Sequence, residues 1–374
     1  MRNTSHKRVM SALNFQKPDH VPHFDDYLDK FEEKWKMEKR FGKEANIDDY
    51  YDVDILISIP KDEGWPSKAR VLKKDGGYVI YRDSWGMVQR QPTDAYGELR
   101  HGHFGQELEV ICQEKIDPEK LKFESPRADY RYEWTSAHVK KCSHRYAIFG
   151  KVGGPYSRTS KLRGTEQFMV DIAEDPEYSR ALAEKITDHL TKVGLEQLKR
   201  DHLSSTGIWI FDDIAGNEGL LMSPRSYEKI FYPSLAKMIK AFKQAGASKV
   251  ILHSDGNIES VLDVLVEAGI DSINPVEPKA GMNMEKLKKK YGGKLSLIGG
   301  MCNALVLPKG NKEEIARHVQ AVVELGKDGG VILAAHSIGP DIPIENYDWA
   351  IEVYKKYREA GSGKNQVMRN KERG

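Results

Sequence analysis

From about residue 205 onward the chain repeats one unit: a short apolar run, a polar turn, then an amphipathic helix. Gly207-Ile208-Trp209-Ile210-Phe211 is apolar on both alternating faces and stops at Asp212-Asp213, the pattern of a strand buried on both sides. Ser223-Pro224 then predicts a helix start, with Ser as N-cap and Pro at the first helical position, and Gly246 predicts its end. Lys249-Val250-Ile251-Leu252 repeats the unit and ends in His253-Ser254-Asp255-Gly256, with a helix over 258–268. Asp271-Ser272-Ile273-Asn274 leads through Pro275-Val276-Glu277-Pro278 to a helix over 283–291. Leu295-Ser296-Leu297-Ile298 leads through Gly299-Gly300-Met301-Cys302-Asn303 to a helix over 311–326, and Val331 to Ala335 leads through His336-Ser337 to a helix over 344–360. Strands that each feed a helix imply a parallel sheet covered by helices.

The first half is less regular. Val21-Pro22-His23-Phe24, Val53-Asp54-Ile55-Leu56-Ile57 and Tyr146-Ala147-Ile148-Phe149-Gly150 supply three more strands, and residues 28–41, 164–175 and 176–202 fit helices. The total of eight strands predicts an α/β fold of the (β/α)8 TIM-barrel type over residues 1–360, with a frayed tail over 361–374. Residues 64–108 interrupt the scheme, and their alternating segments Gly76 to Tyr81 and Trp85 to Val88 predict a hairpin insertion at the barrel mouth. A doubly wound open sheet would carry a Gly-rich turn after its first strand, and none is present.

Bulk properties narrow the function classes. The 58 basic and 56 acidic residues leave a net charge of +2, so nothing advertises a nucleic-acid partner. The run Lys286-Leu287-Lys288-Lys289-Lys290 reads as the wet face of a helix. No apolar stretch approaches the ~20 residues of a membrane helix, and no signal core follows the basic start, so a cytoplasmic chain without a membrane partner is expected. Cys112, Cys142 and Cys302 are too scattered for a disulfide framework, so a metal site would draw on His, Asp and Glu.

A barrel of this type carries its active site at the C-terminal ends of the strands. Those positions hold His23 with Asp25 and Asp26, Asp212 with Asp213, His253 with Asp255, Asn274 with Glu277, Cys302 with Asn303, and His336. His253 and Asp255 are two apart and share a face if the strand continues, so with His336 they form a candidate three-ligand site for zinc or another divalent metal, two-His-one-carboxylate iron included. The competing reading makes the two histidines hydrogen-bonded mouth residues that hold an organic anion. Of Asp212 and Asp213 one should enter the site as base or ligand while the other caps a loop. Tyr156, after Gly153-Gly154-Pro155, is a candidate catalytic wall, and Arg163 could clamp a carboxylate or sit in an ion pair. His23, Asn274, Glu277 and Cys302 complete the candidate substrate contacts, against packing roles for His23 and Cys302.

At these residues the sequence resembles the uroporphyrinogen decarboxylase superfamily. The resemblance runs from Arg8-Val9-Met10-Ser11-Ala12-Leu13 and Pro18-Asp19-His20-Val21-Pro22, through Phe211-Asp212-Asp213, Leu221-Met222-Ser223-Pro224, His253-Ser254-Asp255-Gly256 and Gly269 to Pro275, to Ile342-Pro343-Ile344-Glu345-Asn346. It implies a (β/α)8 barrel. True uroporphyrinogen decarboxylases carry an Arg-rich segment after the first strand and an Asp near the end of the second. Here those places read His23-Phe24-Asp25-Asp26-Tyr27-Leu28-Asp29-Lys30 and Ile57-Ser58-Ile59-Pro60. Asp25, Asp26 and Asp29 would repel an octacarboxylate, so that reaction is disfavoured.

The other large branch is similar to cobalamin-dependent methyltransferases, whose zinc ligands are a His-x-Cys pair and a later Cys. His253-Ser254-Asp255 and His336 occupy those places with harder ligands, which favour an oxygen ligand over a thiolate. The resemblance therefore implies a metal-dependent methyltransferase-like enzyme that moves a methyl group from a small methylated substrate, an O-methyl compound or another methylated one, to a corrinoid on a separate protein. A decarboxylase acting on a porphyrinogen or smaller carboxylated substrate, and an inactive small-molecule binding barrel, are the alternatives. Expected partners are the small-molecule substrate, the corrinoid protein and a second copy of the chain.

Overall fold

A computed structural model of the chain describes residues 4–93 and 105–361. Eight parallel strands form one sheet: β1 (His23–Phe24), β2 (Ile55–Ser58), β3 (Ala147–Gly153), β4 (Gly207–Phe211), β5 (Lys249–His253), β6 (Ser272–Val276), β7 (Ser296–Gly300) and β8 (Val331–Ala334). Their order is β1-β8-β7-β6-β5-β4-β3-β2, and the Asp54 N–H donates to the His23 carbonyl at 2.8 Å, bridging the last gap between β1 and β2. The fold is the expected TIM barrel.

Strand pleating divides the side chains between two cores. Phe24, Ile55, Ala147, Phe149, Trp209, Ile251, Ile298, Ile332 and Ala334 fill the barrel interior. A larger cluster lies between the strands and the surrounding helices. The floor of the interior is closed by α1 (Ser5–Leu13), whose Val9, Ala12 and Leu13 pack against it. Thr4 starts this helix by accepting the Lys7 N–H. Arg8 anchors the plug: it is 6% exposed, donating to Asp54 at 2.5 Å and to Asp19 at 2.8 Å. The strand-and-helix repeat does not predict α1, a short amphipathic helix that stands ahead of the first strand.

Three expectations shift. The helix expected from Pro224 to Gly246 is two helices, Pro224–Ile230 and Tyr232–Gln244, because Pro233 starts a new first turn after Phe231. Strand β3 runs past Gly150 to Gly153 and so takes in Lys151. The insertion is more than a hairpin: Arg70–Asp75, Tyr78–Arg82, Val88–Pro92 and Gln106–Glu109 form a four-stranded antiparallel sheet. The tail expected after the last helix, Ile344–Gly361, lies outside the described residues. Among the described residues no helix is long and apolar enough to cross a membrane.

The long helix Pro176–Arg200 ties the loop after β2 to the barrel wall through His189. This ring is 5% exposed, lies against Phe123 and donates from Nε2 to the carbonyl of Asp62 at 3.1 Å. Burial, helped by Arg131, lowers its pKa to about 4, so it is held neutral. The unfolded chain takes up this proton below its ordinary value of ~6.5, so the contribution is complete above ~6.5 and lost as pH falls toward 4. Urea unfolding at pH 7.5 and 4.5 should therefore show His189→Gln losing about 2–3 kcal/mol less stability than the wild type over that interval. Equal losses in the two proteins would remove this role.

Candidate functional site

The register of the sheet sets the site. His253, last residue of β5, lies opposite Phe211 of β4 and Asn274 of β6, and all three side chains are held together. Phe211 stacks on the His253 ring with centroids 5.1 Å apart. Asn274 Oδ1 lies 2.8 Å from His253 Nδ1. An amide oxygen can only accept, so Nδ1 carries the proton and Nε2 is left with its lone pair. That is the tautomer a metal needs.

The chain then turns sharply so that Asp255 comes back over the barrel. Gly256 makes this turn with φ +81°, and a Cβ there would run into the Gly216 carbonyl. The Gly256 N–H donates to Glu277 Oε2 at 2.6 Å, and the Asp255 N–H donates to Asp213 Oδ1 at 3.1 Å. Asp255 Oδ1 thus stands 3.2 Å from His253 Nε2 and 2.7 Å from His336 Nε2, which follows β8. Donor atoms of all three residues fall within 4.8 Å of one another.

Despite these distances, Asp255 Oδ1 is buried and receives no hydrogen bond of acceptable geometry. The imidazole nitrogens and the carboxylate oxygen converge on shared space without a hydrogen bond that satisfies the oxygen. A buried acceptor left so would cost about 1–3 kcal/mol, and lone pairs facing one another would repel. A cation between them resolves both costs. Ligand atoms around tetrahedral zinc lie about 3.3 Å apart, matching His253–Asp255 and requiring His336 to open by roughly half an ångström. The residues present therefore fit a divalent metal.

The same groups also interact through charge when the histidines are protonated. Burial works to raise the Asp255 carboxyl, but the flanking His253 and His336 imidazoles outweigh it and hold it well below the usual carboxylate range. For His336, burial works to lower the imidazole, and the Asp255 carboxylate, with Glu277 and Asp213 behind it, outweighs that and raises it. Glu277 Oε1 stands 3.8 Å from His336 Nδ1. Asp213 Oδ1 lies 3.9 Å from His253 Nε2, and burial, then the charge of Asp255, raises its carboxyl.

The two adjacent aspartates divide their work. Asp212 is 1% exposed and turns away from the mouth to the start of helix Pro155–Arg163, accepting the N–H of Ser157 at 2.7 Å and of Tyr156 at 3.3 Å. Burial pushes its carboxyl up to about 7. It is a helix cap, and its expected catalytic role gives way to Asp213, which faces the His253–Asp255–His336 trio. Tyr156 also departs from expectation: its hydroxyl donates to Met169 Sδ at 3.5 Å among Phe168 and Phe231, so the polar tip is turned into the core.

Other candidates fall outside the trio's reach. His23 is 1% exposed and bonded to Asp25 at 2.8 Å, with Tyr347 donating to the same carboxylate at 2.6 Å, so it braces the end of β1. Arg163 donates to Asp171 and to the Cys112 carbonyl, both at 2.6 Å; these partners, chosen by packing, replace the expected substrate carboxylate. Cys302 is buried, with its N–H donated to His318 Nε2 at 3.1 Å, and is not among the converging donor atoms.

Two hollows open at the mouth. The inner one, about 270 Å3, has an apolar floor of Phe24, Ile55 and Trp209, an acidic side with Asp26 and Asp48, and a further wall of Lys151, His253, Asn274 and His336. The outer one, about 810 Å3, lies under the insertion and is lined by Trp85, Arg158, Tyr156, Phe211 and Asp213. Lys151 and Arg158 are not among the residues that sequence reasoning nominates. The signal for Lys151 is its parity with Phe149 in an otherwise uncharged strand, which turns it inward.

A family model described as uroporphyrinogen decarboxylase (URO-D) matches residues 107–357, more than half of the chain and the whole span from the insertion's last strand through β8. The chain belongs to the uroporphyrinogen decarboxylase family. A curated relative, uroporphyrinogen decarboxylase from a Nitratiruptor species, is 24% identical over 246 residues, covering 62% of this chain and 66% of the relative, just short of two thirds of its length. Among solved structures, a methyltransferase from Methanosarcina mazei overlays with TM-score 0.65 at 15% identity, over 95% of this chain and 99% of that one. Its likeness supports the family fold. A B12-independent methionine synthase from Shewanella sp. W3-18-1, in complex with selenomethionine, overlays at TM-score 0.41 and 10% identity over 94% and 96% of the two chains, too loosely for argument.

Proposed function

We propose that this member of the uroporphyrinogen decarboxylase family is a metal-dependent methyltransferase-like enzyme, taking a methyl group from a small O-methyl substrate and delivering it to a corrinoid carried by a separate protein. The observation that carries this reading is the convergence of His253 Nε2, Asp255 Oδ1 and His336 Nε2, with the carboxylate oxygen buried and unbonded. A bound divalent ion would supply Lewis acidity to the oxygen that bears the methyl group. The protein's own residues do the rest. Asn274 fixes the His253 tautomer, and Glu277 holds the turn that presents Asp255. Asp213 stands beside the centre, placed to pass a proton to the oxygen left behind. The floor of Phe24, Ile55 and Trp209 keeps water from the reacting carbon.

Porphyrinogen decarboxylation fits less well. A substrate with eight carboxylates would meet Asp26 and Asp48 inside a hollow of about 270 Å3. Protein purified without a His-tag should carry about one equivalent of divalent metal. Stripping it with a chelator should abolish demethylation of an O-methyl panel in the presence of a corrinoid acceptor, and zinc should restore it. Metal-free protein that still turns over its substrate would sink the proposal.

A further inference from the structure

Lys151 is a feature of the inner hollow that neither the fold nor the His253–Asp255–His336 trio accounts for. It lies on β3 with its side chain inside the barrel, lining the same hollow as His253, Asn274 and His336. Its Nζ stands 4.9 Å from the centroid of Phe211, whose ring stacks on His253. An ammonium drawn into a barrel costs several kcal/mol unless an anion offsets it. Among the described residues no carboxylate lies within ion-pair distance of Lys151.

The nearby charges do not remove the imbalance. Arg158 lies against the same Phe211 ring, its Cζ 5.6 Å from the centroid. The carboxylate at hand, Asp62, is shared between Arg158 Nη2 at 3.3 Å and the Gly153 N–H at 2.6 Å. Arg158 Nε is itself buried without a partner. Two cations therefore flank one aromatic ring, and the one carboxylate in ion-pair contact there, Asp62, is engaged by Arg158 and leaves Lys151 without a partner at that distance. Burial, with Arg158 acting in the same sense, lowers the Lys151 pKa against the opposite pull of Asp26, Asp213 and Asp255. An apolar side chain would pack against Phe149 and Trp209 with none of these costs.

We propose that the Lys151 ammonium is a substrate-anchoring group that holds a single carboxylate of the substrate inside the inner hollow, while the rest of the molecule reaches toward His253 and His336. The substrate class is thus a small methylated monocarboxylate, such as a methoxy-substituted aromatic or aliphatic acid. One cation holds one carboxylate, which is why the same hollow excludes a polycarboxylate. The proposal deepens the methyltransferase reading and rests on it for the chemistry, though the binding step requires no metal.

Trp209 and Trp134 line the hollow and report binding by their fluorescence. The test titrates 4-methoxybenzoate and its neutral counterpart 4-methoxybenzamide into metal-free and zinc-loaded protein, with no corrinoid present. The carboxylate is expected to bind at least about tenfold more tightly than the amide in both forms. Lys151→Met should erase that preference without changing amide binding, and Lys151→Arg should keep most of it. Thermal melts of both variants check folding, and Lys151→Gln substitutes if the Met variant melts early. Equal binding of acid and amide by wild type, a preference that survives Lys151→Met, or a preference present only with zinc overturns the proposal. Failure of methyl transfer would leave this binding result intact, so the two readings fail separately.

Discussion

Replacing His336 with alanine is expected to lower zinc affinity by more than about 100-fold and to take activity with it. Loss of a residue that merely orients a ligand typically costs 10–100-fold, so loss of a direct donor should exceed that range. The size follows from the geometry. His253 and Asp255 both come from the end of β5 and the turn after it, whereas His336 arrives from β8, closing the trio from the opposite wall. Without it, two donors remain, too few for the three protein ligands that catalytic zinc commonly takes. His336→Gln gives a useful contrast, since it keeps a polar side chain of similar reach but no imidazole. Competition with a zinc chelator of known affinity measures the effect, and thermal melting separates it from misfolding. An H336A protein that holds zinc as tightly as wild type would show that His336 is not a zinc donor and overturn the three-ligand site.

The second large effect concerns stability. Arg8→Met should destabilise the protein by about 3–5 kcal/mol, because it strands a buried carboxylate. Asp54 is 3% exposed and uses one oxygen for Arg8 Nη1 at 2.5 Å and the other for the His23 N–H at 3.0 Å. Burial already raises its carboxyl, and Arg8 is the largest force holding it ionised. Adding Asp54→Asn to Arg8→Met should recover part of the loss, since the uncompensated charge disappears with it. Urea unfolding of the two single variants and the double variant closes the cycle. Strict additivity would mean that the pair contributes nothing beyond its separate contacts.

Much of this is legible in the sequence. Strands such as Gly207–Phe211 announce themselves because both faces are buried, so every residue is apolar until the strand ends before Asp212. Polar residues crowd the strand ends because that is where side chains leave the core, and the trio of His253, Asp255 and His336 can be nominated on that ground alone. Tertiary choice cannot be read. Arg163 and Arg158 lie five positions apart on one helix, and which of them faces the mouth depends on Asp171 and the Cys112 carbonyl, brought near by packing. Pleating splits Asp212 and Asp213 into one inward and one capping residue, yet it does not say which is which. Lys151 hides in plain view, since one lysine in a strand ordinarily marks an edge or an end.

The pairing of β8 with β1 has a consequence for how the molecule comes into being. Synthesis delivers His253 and Asp255 while the wall bearing His336 has yet to be made, and that wall is seated only when β8 docks beside the strand made first. A nascent chain halted between β5 and β8 therefore offers an acidic residue and a single imidazole in an unclosed sheet, with nothing to select one ion over another. The choice of the proposed ion would then belong to the released, ring-closed protein, and the cell's supply at that moment, not at the ribosome, would decide it.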